Sequence, residues 1–137
     1  MNTKYALLLL CIVCTTTFFA CTKHSDDVDE PIPTATLTIA RPTEGAVYHT
    51  GDSVLVQALA TANGEMHGYE VAIRNASDTS VVYFSKHVHE DGNSLLIDQA
   101  WKDTLTTTTD LQVEVMLILD HDGHTSAKSV SIKSETE

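Results

Sequence analysis

From Thr34 on, alternation of apolar and polar residues dominates, and no stretch carries the spacing of a long amphipathic helix. In an extended chain, alternate side chains point to opposite faces, so such segments read as half-buried strands. The clearest is Asp110–Leu119, with Leu111, Val113, Val115, Leu117 and Leu119 in phase. Ser53–Ala60 places Val54, Val56, Ala58 and Ala60 on one face; Gly68–Arg74 sets Tyr69, Val71 and Ile73 against Glu70, Ala72 and Arg74. Thr36–Ala40, Ser80–His89, Ser94–Trp101 and Ser126–Lys133 complete the set, the last with Val130 and Ile132 inward. Within Ser80–His89 the pattern puts Val82, Phe84 and Val88 on one side and Tyr83, His87 and His89 on the other. Arg41-Pro42, Glu44-Gly45, Gly51-Asp52, Asn63-Gly64, Asn75–Thr79, Asp91-Gly92-Asn93 and Asp122-Gly123 punctuate these runs, using residues that favour turns. Val47-Tyr48 is only a short apolar pair between two of these turns.

Seven strands in about 100 residues, spaced by turns, predict one all-β domain over residues 34–137. The expected architecture is a single seven-stranded antiparallel sandwich of immunoglobulin-like or fibronectin III-like kind, with a closed barrel as the alternative. Hydrophobic residues make up 42% of the chain, enough to fill such a core. The three cysteines, Cys11, Cys14 and Cys21, all precede the domain, which therefore has neither a disulfide nor thiolate chemistry. Trp101 closes a strand, where it is expected to plug the core or its rim.

The first 20 residues read as a signal peptide. Lys4 gives a short positive start, and Ala6 to Val13 is an apolar run too short to span a bilayer of ~30 Å. Ala20 directly before Cys21 resembles the processing site of a bacterial lipoprotein. That resemblance implies cleavage before Cys21 and acylation of the cysteine, giving a membrane anchor through palmitate-type chains; an ordinary secretory signal is the alternative. Residues 21–33 then form a tether in which Asp26, Asp27, Asp29 and Glu30 accompany Pro31 and Pro33. Like charges and prolines keep it extended, so its twelve residues beyond the cysteine reach roughly 40 Å. An acidic stretch after a lipidated cysteine resembles the surface-export signal of Bacteroidota lipoproteins, which implies an outer-membrane, surface-exposed location in the cell envelope; a solvated spacer is the alternative. Arg41-Pro42-Thr43-Glu44-Gly45, Tyr48 and Gly51-Asp52-Ser53-Val54 resemble the opening of immunoglobulin-like and fibronectin III-like modules in such lipoproteins.

The 19 acidic residues outnumber 8 basic ones, for a formal net charge of −11, which argues against nucleic acid as a partner. No nucleophile motif, phosphate-cradling glycine loop or His-Glu-x-x-His is present, so no catalysis is expected. The expectation is an anchored binding or accessory module that holds a protein or glycan partner through its membrane-distal loops. The alternative lies in the histidines. Six of the 7 fall in the domain, and in a fibronectin-like sandwich the connections after the second, fourth and sixth strands share one pole. His67, His87, His89, His121 and His124 should then converge, whereas His49 should lie elsewhere. His87 and His89, two apart on a strand, would share a side, and Asp120, Asp122, Glu90 and Asp91 add carboxylates. Imidazole with carboxylate suits Zn²⁺ or Cu²⁺. A polar hairpin at Asp122-Gly123 and an edge strand blunted by His-x-His are the plainer readings of the same residues.

Overall fold

A computed structural model describes residues 31–136. The signal peptide and the tether up to Glu30 lie outside the described residues. Among the described residues eight strands form two sheets: β1 (Ala35–Arg41), β2 (Ala46–His49), β3 (Ser53–Met66), β4 (Gly68–Asn75), β5 (Val82–Val88), β6 (Gly92–Lys102), β7 (Thr109–Ile118) and β8 (Thr125–Glu135). One sheet has the order β1-β3-β6 and the other β2-β8-β7-β4-β5. Two sheets of this order, packed face to face, make a sandwich of the immunoglobulin-like type.

The expected count of seven antiparallel strands is corrected to eight, with one parallel pair. Ala46–His49 runs parallel to β8, in register from Ala46 opposite Ile132 to His49 opposite Glu135. Four residues with one exposed valine are too short for alternation to reveal; the pairing is tertiary. Pro42, which has no N–H to offer a ladder, ends β1. The chain then turns through Gly45, at φ 75°, into the other sheet. There the Gly45 N–H donates to Ser131 O at 2.8 Å, and the Glu44 carboxylate accepts the Ser131 N–H at 2.9 Å.

The core lies between the sheets. Val54, Val56, Ala58 and Ala60 from β3 meet Tyr69, Val71 and Ile73 from β4 and Leu111, Val113, Val115 and Leu117 from β7, all buried. Leu95, Ile97 and Trp101 of β6 fill the remaining width. Trp101 is only 8% exposed and stacks on Tyr83, with ring centroids 6.4 Å apart. That contact overturns the expected outward face for Tyr83. The β4–β5 register slips between Ile73 and Arg74, so Ile73 pairs with Phe84 and Arg74 with Val82. A bulge of this kind lets two consecutive residues, here Tyr83 and Phe84, both pack on the core while Val82 is left 48% exposed.

Asn63-Gly64 also behaves differently from expectation. It does not end the strand: β3 continues to Met66, with its pairing to β6 interrupted between Thr61 and Met66. The Asn63 side chain accepts the Thr34 N–H at 2.7 Å, and Asn63 N–H donates to Thr34 O at 3.3 Å. A Cβ on Gly64 would stand 3.1 Å from Pro33. The chain therefore enters the domain beside residues 62–64 and leaves at the other end, where the Thr50 N–H donates to Glu135 O.

Candidate functional site

Three connections meet at the pole where the chain enters. β3 passes to β4 through His67 alone, β5 to β6 through His89-Glu90-Asp91, and β7 to β8 through residues 119–124. The His67 N–H donates to Ile118 O at 2.8 Å, which pins the first connection against the third. Gly68 then permits a close approach. Its φ is +126°, and a Cβ there would lie 2.1 Å from Val88 O and 3.1 Å from His89 Cα. Only glycine lets the end of β5 come this near, and that closeness brings the second connection over His67.

His67, His89 and His121 gather around Asp91. Nδ1 of His67 is 2.8 Å from Asp91 Oδ1, and Nε2 of His89 is 3.9 Å from the same oxygen. The His121 ring stacks on the His67 ring, with centroids 3.8 Å apart and planes 28° from parallel. The His67 hydrogen bond holds the Asp91 carboxyl below its usual range; desolvation opposes this, and the charges of His89, His67 and His121 add to it. The His67 side chain is 15% exposed, so it forms the floor of the cluster, with Asp91 and His89 at the open rim.

His124 belongs to a separate arrangement. Asp120 Oδ1 accepts the N–H groups of Asp122 and His124, both at 3.0 Å, and its Oδ2 meets His124 Nδ1 at 2.5 Å. Gly123, at φ +94°, completes this hairpin turn, and the Leu119 N–H closes it on His124 O at 2.8 Å. His87 pairs across the ladder with Glu70 and is exposed on the outer face of the five-stranded sheet. His49 sits at the opposite pole, where its N–H donates to Asp52 Oδ2 at 2.8 Å. The 14-residue β3 separates the two poles by about 40 Å.

One residue that sequence reasoning missed is Glu65. Among the described residues, Glu65, His67 and Asp91 each bring a ligand atom within 4.8 Å of the others. The signal was present in Glu65-Met66-His67. In an extended chain the outer two residues share a side, and Met66 between them is fully buried. Ending the strand at Asn63-Gly64 hid it.

No protein-family profile matches the chain, and a comparison with curated proteins gave no match. Among solved structures, a fibronectin(III)-like module of Clostridium thermocellum CbhA is similar, at a TM-score of 0.44 and 16% identity. The match covers 73% of this chain and 96% of that one.

Proposed function

We propose that the protein is an extracytoplasmic, lipid-anchored immunoglobulin-like module without catalysis of its own, and that the histidine pole is its working end. The observation that carries this reading is the convergence of three separate connections on one polar cluster at the end where the tether joins the domain. On this reading the working end is the tethered end, where the sequence alone suggested membrane-distal loops. Acylation of Cys21 supplies the attachment; several chains on one residue bind a bilayer firmly, whereas one chain binds marginally. A protein or glycan held near the envelope surface is the partner class this arrangement suits. Fractionation of cells expressing Cys21→Ser tests the anchor. The variant should leave the membrane fraction and appear in the soluble extracytoplasmic fraction, and its retention with membranes would refute the reading.

A further inference from the structure

We infer that the histidine pole holds one borderline divalent cation, Zn²⁺ above all, on Glu65, His67 and Asp91, with His89 completing the coordination shell. This inference rests on the reading of that pole as the working end and names what it takes.

The geometry argues for a single ion. Three ligand-bearing side chains from two chain segments stand with one donor atom each within 4.8 Å of the others. Two ligands bonded at about 2.0 Å to a tetrahedral ion lie about 3.3 Å apart. His67 Nδ1 and Asp91 Oδ1, at 2.8 Å, need open by only about half an ångström to admit it. The proton that now joins them is the one a cation displaces. His89 faces the same Asp91 oxygen at 3.9 Å and comes from the same connection, so a side-chain rotation brings a second imidazole to the ion.

The surroundings orient the ligands. His67 is held by its main-chain bond to Ile118 O, and its ring is backed by the His121 ring. Met66, buried beneath, keeps Glu65 and His67 on one side of the chain. Nitrogen with carboxylate oxygen favours Zn²⁺ over Ca²⁺ or Mg²⁺, which take all-oxygen shells. His87 and His124 stay outside this set, the first facing Glu70 across the ladder and the second engaged by Asp120.

Calorimetric titration of the full-length chain, purified in detergent and stripped with a chelator, tests the site with ZnCl₂ as the probe. The expected result is one Zn²⁺ per chain, bound at micromolar affinity or tighter. Glu65→Gln and His67→Gln should each weaken it at least tenfold, while His87→Ala and His49→Ala leave it unchanged. Glu65 is exposed, so Glu65→Gln should keep the wild-type circular dichroism spectrum. Co²⁺ in place of Zn²⁺ should give the intense visible bands of a four-coordinate ion, and Glu65→Gln should abolish them. Absence of saturable Zn²⁺ binding, an unchanged affinity in Glu65→Gln, or a loss caused by His87→Ala would each overturn the site. None of these outcomes moves the membrane fractionation of Cys21→Ser, so failure of the metal site and failure of the anchored-module reading are told apart.

Discussion

Replacing Gly68 by alanine should do more damage than any other glycine substitution with a known environment in this domain. The backbone at φ +126° is one that L side chains rarely adopt, and holding a residue in such a conformation costs about 1–3 kcal/mol. The added Cβ would also sit 2.1 Å from Val88 O, an atom of the main chain that cannot rotate away. The start of β4 and the end of β5 must separate by about 1 Å, which weakens the pairing of Tyr69 with Val88 by roughly 1 kcal/mol. A total of about 3 kcal/mol follows, or a fall in Tm of roughly 12–24 °C for a domain of this size. Gly123→Ala is the control. Its φ is +94°, yet a Cβ there meets nothing within 4 Å, so only the conformational part applies. Thermal unfolding followed by circular dichroism should place Gly68→Ala well below Gly123→Ala. Equal midpoints for the two, or Gly68→Ala within 3 °C of the wild type, would refute the close-approach argument.

Trp101→Ala should cost about 3–5 kcal/mol, because it empties a buried site against Tyr83, and chemical denaturation should read the loss directly. Leu96→Lys, at a position 74% exposed, should change stability by less than about 0.5 kcal/mol in the same assay. Zn²⁺ at a hundred times its dissociation constant should stabilise the native state by about 2.7 kcal/mol, and a chelator should return the unfolding curve to its metal-free position. Asp78 accepts hydrogen bonds from the Ser80 hydroxyl and N–H, which hold its carboxyl below the ordinary 3.8. A depressed folded-state pKa stabilises the domain above the unfolded value and loses that contribution as pH falls through the folded one. The Tm difference between wild type and Asp78→Ala should therefore be present at pH 7 and shrink below about pH 4; a constant difference down to pH 2 would contradict the assignment.

The parts of the fold that could be read from the sequence are those set by local alternation. Leu111, Val113, Val115, Leu117 and Leu119 are all buried, as are Val54, Val56, Ala58 and Ala60, because each strand with one face on a core must alternate. Topology then separated His49 from the other pole, and Trp101 lies in the core as its position in a strand suggested. What stayed hidden depends on register. The β4–β5 slip turns Tyr83 inward, the interruption after Thr61 carries β3 on to Met66, and the parallel pairing of β2 needs β8 to exist first. The candidate site divides the same way. His67, His89 and His121 share a pole that strand order alone specifies. Glu65 joins His67 only because the strand survives Gly64, and His87 falls away because it stays within β5, paired with Glu70 on the outer face, two residues before His89 in the connection.

The short parallel pairing of β2 with β8 has a mechanical consequence. The chain enters at one tip and leaves at the other, so a load applied between Thr34 and Glu135 pulls lengthwise along the strands. Along that path β2 and β8 are drawn past one another, and the four register positions from Ala46–Ile132 to His49–Glu135 bear the force together instead of opening one by one like a zipper. A module with this patch resists shear between β2 and β8, and loosening it would let β2 slide off the edge of its sheet while the core stays packed.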